Sequence, residues 1–160
     1  MSKDKIFSKH KLARIISSLK KKRKRIVFTN GCFDILHVGH ISYLNSAKKL
    51  GDILVVGINS DTSVKSLKGS RRPIMPLKDR IKILASLECI DYVCAFSQKT
   101  PLNLIKKIRP DVLVKGGDWK NKEIVGADFV KAYGGKIITI PFKKGYSTTG
   151  LIKKIISAQK

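Results

Sequence analysis

Acidic residues are scarce in this chain: its 160 residues hold 11 Asp and Glu against 34 Lys and Arg, a formal net charge of +23 at pH 7. Chemistry that needs a pair of catalytic carboxylates therefore has few candidates. Cysteine is sparse as well. Cys32, Cys89 and Cys94 are an odd number with no CxxC pair, which argues against a disulfide scaffold or a zinc site and fits a reduced cytoplasm. No apolar run approaches the roughly 18 residues of a membrane span. Residues 1–10 carry positive charge with no apolar segment after them, so no signal peptide is visible. What is present is ordinary for a soluble protein: 42% hydrophobic residues, in a length that suits one domain.

Much of the charge is local. Residues 1–25 hold eleven Lys and Arg against one Asp, densest at Lys20-Lys21-Lys22-Arg23-Lys24-Arg25. Such a run could bind nucleic acid or an anionic membrane. No aromatic residues interleave with it to stack on bases, which favours a plain solvated stretch.

Short runs rich in Val, Ile and Leu alternate with helical segments, the pattern of an α/β domain with a parallel sheet. The strand candidates are 25–29, 53–58, 92–96, 112–115 and 136–140, mostly near-continuous in apolar residues, as strands covered on both faces are. Helices are expected over 40–50, with Ile41, Leu44 and Ala47 on one stripe, and over 77–87, with Ile81, Ile83 and Leu84. Thr100-Pro101 reads as a cap and first helical position for 102–108, which Arg109-Pro110 ends. An amphipathic helix over 11–20, with Leu12, Ile15, Ile16 and Leu19 on one face, precedes the first strand and should dock on the domain. The last helix, 149–158, should close the sheet. The reading is a single Rossmann-like three-layer α/β/α domain over 1–160, with 1–24 a basic helical extension.

The chemistry points to His37-Val38-Gly39-His40, between the first strand and the first long helix. Ligands of open α/β sheets bind at the carboxyl ends of strands, where strand order reverses. A helix N-terminus there offers unpaired N–H groups and a positive dipole to an anion. Gly39 allows close approach of the backbone to a phosphate. Two of the three histidines in the chain lie in this turn, where they can donate hydrogen bonds to phosphate oxygens as charge develops. A capping or core role is the plain alternative for either one. A transition-metal site fits less well, since no Cys or carboxylate completes a ligand set.

A strand, then Thr29-x-Gly31-x-Phe33-Asp34 and His37-x-Gly39-His40, resembles the cytidylyltransferase-like branch of the nucleotidyltransferase superfamily. A closer similarity runs through Phe28–Gly69, Pro76–Arg80, the DVLVKGGD segment at 111–118 and Gly145-Tyr146-Ser147-Thr148-Thr149. Together these resemble the D-glycero-β-D-manno-heptose 1-phosphate adenylyltransferases of ADP-heptose synthesis, which occur alone or fused behind a kinase. The HxGH element marks only the superfamily; KGGD and STT at their spacing make the narrower likeness.

The resemblance implies ATP as substrate with Mg²⁺, a sugar phosphate acceptor, and the homodimer common in the superfamily. It implies His37, His40 and Lys65 as catalytic groups. Nucleotide contacts would come from Thr29, Asn30, Cys32, Phe33, Gly39, Asp118, Ser147, Thr148 and Thr149, and contacts to the sugar phosphate from Lys68, Arg71, Arg72 and Arg80. Bland alternatives stand beside these: a solvated basic loop at 65–72, a surface ion pair for Arg80, a capped glycine turn at Asp118 and plain N-capping at 147–149. Asp34 and Asp61 read as caps or turn formers, and Cys32 as a backbone element with no base partner. The glycerol phosphate cytidylyltransferases carry an Arg-Thr pair before their final Ser-Thr-Thr; Lys143-Lys144 and Tyr146 stand here instead, which counts against that acceptor. The expected chemistry is in-line attack of the sugar phosphate on the α-phosphorus of ATP. The rivals are the same chemistry on glycerol 3-phosphate or another small phosphate, possibly from CTP, and a basic nucleic-acid-binding protein. An aminoacyl-tRNA synthetase is excluded by the missing KMSKS element.

Overall fold

The computed structural model describes residues 4–117 and 124–159. Twelve elements follow one another among them. Helix α1 (Lys9–Lys21) leads into β1 (Ile26–Gly31), α2 (Val38–Lys48) and β2 (Ile53–Asn59). Then come α3 (Asp61–Lys68), α4 (Leu77–Ser86), β3 (Tyr92–Phe96) and α5 (Leu102–Ile108). The chain continues through β4 (Val112–Gly116), α6 (Ala127–Ala132), β5 (Lys136–Ile140) and α7 (Thr148–Ser157).

The strands form one sheet in the order β3-β2-β1-β4-β5, and every neighbouring pair is parallel. The chain builds outward from β1 through β2 to β3, then crosses back to β4 and β5. Strand order therefore reverses between β1 and β4. Six residues of β1 are in register with β2, from Ile26↔Ile53 to Gly31↔Ile58, but only Val27↔Val112 and Phe28↔Leu113 are in register across β1 and β4. The two central strands part toward their carboxyl ends, as a ligand crevice requires. The fold is Rossmann-like α/β.

Alternation along each strand supplies two apolar faces. On one, Val27, Val56, Ile58, Val112 and Val114 meet Leu44 and Ala47 of α2 and Leu84 of α4. On the other, Ile26, Phe28, Val55 and Leu113 meet Leu12 and Ile16 of α1 and Leu104, Ile105 and Ile108 of α5. Helix α1 thus docks on the sheet through the stripe its sequence presents.

The scarce carboxylates do much of the architectural work. Asp111 accepts the Ile26 N–H at 2.7 Å, Asp52 that of Arg25 at 2.7 Å and Asp91 that of Leu54 at 2.7 Å. Each satisfies a strand-start donor that the parallel ladder leaves open.

Several expectations change in detail. The stripe of α2 is Tyr43, Leu44 and Ala47 rather than Ile41, which is 37% exposed. Pro101 is itself the N-cap of α5, with no side-chain cap from Thr100. Two short helices, α3 and α6, add to those expected, and α3 takes in the first part of the basic segment at 65–72. Helix α7 does not close the sheet: none of its residues is buried, and Ile155 and Ile156 are 54% and 57% exposed.

Candidate functional site

His37 is the N-cap of α2, in extended backbone (φ −141°, ψ 169°). Its Nδ1 accepts the His40 N–H at 3.4 Å and its carbonyl accepts the same group at 2.9 Å. That acceptor role leaves Nε2 as the protonated nitrogen of a neutral His37 ring. The two imidazoles stack with centroids 3.8 Å apart at 24°, and Phe33 meets His40 edge-on at 5.4 Å. Burial, then the neighbouring His37 and the Lys68 charge, push the His40 pKa down to about 4. Burial lowers His37 too. Both rings are neutral near pH 7 in the free protein, as two cations in van der Waals contact would repel. The Nδ1 of His40 is buried without a hydrogen-bond partner, and a buried polar atom left so is costly unless a ligand or water reaches it.

The start of α7 comes to the same place. Tyr146 stacks on His37 with centroids 6.3 Å apart at 28°. A Cβ on Gly39 would lie 2.9 Å from both His37 Nδ1 and Tyr146 Cβ. Gly39 is thus the residue that lets the 143–147 loop settle on the histidine turn, beyond any approach to phosphate. Ser147 Oγ accepts the Gly150 N–H at 3.0 Å and caps α7, so two helix N-termini converge here. The Thr148 and Thr149 hydroxyls lie in the first turn of that helix.

On the other flank Asp34 organises the loop between α3 and α4. Only 2% exposed, it accepts the Ile74 and Met75 N–H groups at 2.9 Å each and Arg72 Nε at 2.5 Å. Burial works to raise its pKa, but the two backbone N–H groups and Arg72 outweigh it and hold the carboxyl below its usual range. The Nη2 of Arg72 remains buried and unpartnered. Arg80 is 1% exposed and braces the loop from beneath. It donates to Met75 O at 2.9 Å, Cys32 O at 2.5 Å and Asp61 Oδ1 at 2.7 Å. With three donors so engaged Arg80 is a strut, and neither a surface ion pair nor an open substrate contact describes its place.

Lys68, in the last turn of α3, is close enough for its charge to act on both His40 and Cys32. Lys65 and Arg71 are exposed. Thr29 is fully buried and shares a 2.6 Å hydrogen bond with Tyr43, so its hydroxyl faces the core. Asn30 Oδ1 accepts Lys115 Nζ at 2.6 Å. Burial raises the Cys32 thiol, which disfavours a thiolate nucleophile. Asp118 lies outside the described residues. Gly116 and Gly117, just before it, pass under Phe142, whose ring atoms would lie 2.6 Å and 2.8 Å from a Cβ at each.

The basic run is elsewhere. An open hollow of about 390 Å³ lined by Lys20, Arg23, Lys24, Arg25 and Asp111 sits at the amino ends of the strands, the opposite end from the histidines. Sequence reasoning named neither Lys115 nor Tyr146 as a site residue. Their signals were a lysine closing an otherwise apolar strand and an aromatic residue directly before the Ser-Thr-Thr cap.

A family model described as cytidylyltransferase-like matches residues 28–154, from β1 through the histidine turn into α7. The chain belongs to the cytidylyltransferase-like family. This cytidylyltransferase-like chain is 48% identical to the bifunctional protein HldE of Trichlorobacter lovleyi, over 97% of its own length and 32% of that protein. It is 55% identical to the HldE of Helicobacter hepaticus, over 94% of its own length and 30% of that protein. The chain therefore spans about a third of the length of the curated relatives it matches. Among solved structures, a lipopolysaccharide core biosynthesis protein from Thermoplasma volcanium is similar with a TM-score of 0.62 and 28% identity, over 78% of this chain and 99% of that one. A pantoate-beta-alanine ligase from Francisella tularensis shares the fold, with a TM-score of 0.64 and 22% identity over 87% of this chain and 67% of that one.

Proposed function

We propose that this chain transfers AMP from ATP to D-glycero-β-D-manno-heptose 1-phosphate, giving ADP-heptose and pyrophosphate. Family membership, the identity with HldE proteins and the likeness to a lipopolysaccharide core biosynthesis protein support the reading. The observation that carries it is the stacked His37–His40 pair at the mouth of the β1/β4 crevice, with the buried His40 Nδ1 unpartnered.

An oxygen of the sugar phosphate attacks the α-phosphorus. The new P–O bond forms as the bond from the α-phosphorus to the oxygen bridging it to the β-phosphate breaks, and that oxygen leaves with pyrophosphate. The nucleophile is already anionic, so no proton has to be removed. This suits a site whose nearby carboxylates, Asp34 and Asp61, are engaged by Arg72, Arg80 and backbone N–H groups. Catalysis then rests on positioning and charge neutralisation. His37 and His40 donate to the transferring phosphoryl group, with Lys65 as a mobile cation at the rim. The strand end at Thr29 and Asn30, the backbone at Cys32, Phe33 and Gly39, Asp118 and the Ser147–Thr149 cap hold the nucleotide. Lys68, Arg71 and Arg72 meet the sugar phosphate, and Arg80 acts through the loop it braces.

Magnesium fits this site as a companion of ATP. Among the described residues no three His, Cys, Asp or Glu side chains are grouped as a metal cage. A hard cation there would be held by phosphate oxygens and water. No helix among the described residues is long and apolar enough to cross a membrane, and a cytoplasmic setting supplies the ATP. The exposed Ile155 and Ile156 of α7 suit a homodimer contact, which light scattering checks by mass.

The test is pyrophosphate release across a panel of nucleotides and phosphorylated acceptors. ATP with heptose 1-phosphate should exceed every other pair, and preference for CTP or glycerol 3-phosphate would replace this reading. His40→Ala should lower turnover by about 10²–10³-fold, the order of one lost oxyanion donor; turnover near wild type would remove His40 from the chemistry.

A further inference from the structure

Lys115 is a half-buried ammonium, and among the described residues no carboxylate pairs with it. It is the penultimate residue of β4, and its Nζ donates to the amide oxygen of Asn30 at 2.6 Å, linking β1 and β4 beyond the last residues in register between them. Of the other half-buried lysines described, Lys48 lies 2.5 Å from Asp91 and Lys20 3.4 Å from Asp111, while Lys5 donates to the Leu87 carbonyl at 2.9 Å, away from the histidines. Among the described residues, Lys115 has only the neutral amide as hydrogen-bond partner. A structural bridge between two strands needs no charge, and holding one half out of water beside an amide is unfavourable. Burial pushes its pKa down to about 8, against the opposing influence of the nearby Cys32. Such an arrangement waits for an anion.

Its place says which anion. Lys115 alternates with Val114, and Asn30 with Thr29, so both stand on the α5 side of the sheet while Thr29 reaches Tyr43 on the α2 side. The histidines reach the crevice from α2. A ligand laid across the carboxyl ends of β1 and β4 therefore meets the histidines from one side and the ammonium from the other.

We propose that the Lys115 ammonium, steered by Asn30, is a phosphate contact of the site, clamping a bound substrate from the face opposite His37 and His40. This rests on the adenylyltransferase reading, and it deepens it by naming a cation that the basic loop at 65–72 does not supply. The phosphate belongs either to ATP or to the sugar phosphate, and binding each alone tells them apart.

The probes are ATP and heptose 1-phosphate, each titrated alone into the full chain at pH 8.5 by calorimetry in buffers of different ionisation enthalpy. A free pKa of about 8 leaves Lys115 mostly neutral at that pH, and an anion beside it restores the charge. The ligand that Lys115 holds should bind with uptake of about 0.7 proton, from the two titration positions. Lys115→Met should weaken that ligand about 10- to 100-fold and abolish the uptake. Lys115→Arg should keep most of the affinity and still abolish the uptake, because a guanidinium does not titrate there. Asn30→Asp should weaken the same ligand by giving the ammonium an internal partner. Wild-type binding of both ligands without proton uptake, together with unchanged affinity in Lys115→Met, overturns the proposal. Should Lys115→Met not fold, wild-type uptake and its loss in Lys115→Arg decide alone. A chain that transfers nothing to heptose 1-phosphate yet shows the Lys115-dependent uptake with ATP refutes the acceptor and keeps the contact.

Discussion

Burial, the stacked His37 ring and the Lys68 charge together keep His40 neutral down to about pH 4, whereas an unfolded histidine takes up its proton near pH 6.5. Between those values the unfolded chain binds more protons than the folded one, so stability falls as pH drops through that window. Thermal melts at pH 7 and pH 4.5 should show His40→Asn losing less of its melting temperature than wild type. Equal losses would mean that His40 protonates freely in the fold. On the proposed reading, the same neutrality means that the pair meets ATP as neutral hydrogen-bond donors, and the phosphate oxygens then favour a positive ring. Asp34 runs in the opposite sense. Its depressed pKa adds stability that is present above the usual carboxylate range and lost in acid. Asp34→Ala strips Arg72 of its buried partner and should cost about 3 kcal/mol in denaturant unfolding.

At the scale of elements, the site is a meeting of ends. The start of α2, the loop before α7 and the loop before α4 all gather above the β1/β4 gap, and their joints are small. Gly39→Ala sets a methyl 2.9 Å from Tyr146 Cβ and His37 Nδ1. It should push the 143–147 loop away and raise KM for ATP by about 10-fold, the order of a displaced contact. Alanine's better helix propensity offsets part of any stability loss, so the melting temperature should move little. A KM unchanged in that variant would mean the α7 end takes no part in binding. Much of this was legible in the residues: the His37–His40 turn, the glycine pair at 116–117 and the Ser147 cap each carry a local backbone requirement that a sequence displays. Arg80 and Thr29 were not legible in the same way. Whether a guanidinium faces substrate or a loop carbonyl depends on Cys32, Met75 and Asp61, which lie far along the chain from it or at no helical spacing. Likewise the partner of Thr29 is Tyr43, fourteen residues on.

For the molecule as a whole, a formal charge of +23 attracts anionic substrates before any contact forms. Raising salt from 0.05 M to 0.5 M should therefore slow ATP association several-fold in stopped flow, as screening shortens the reach of that field. A salt-independent rate would show that the charge does not steer. The densest part of the charge, at Lys20–Arg25, faces away from the histidines, so charge-neutral replacements there should alter this rate less than replacements at Lys68 or Arg72.

The sequence by itself determined the sheet, its parallel sense, the docking of α1 and the family of the histidine turn. These follow from periodicities and backbone preferences that act over a few residues and need no knowledge of what lies opposite. It also showed the shortage of carboxylates. Only the tertiary structure decided where those carboxylates go: Asp52, Asp91 and Asp111 to the starts of strands, Asp34 and Asp61 to the loop before α4. It alone stacked Tyr146 on His37 and set Lys115 against the amide oxygen of Asn30. Pairings across the β1/β4 gap join residues 85 positions apart, and electrostatic balance at such a distance is a property of the packed molecule, not of any stretch of its chain.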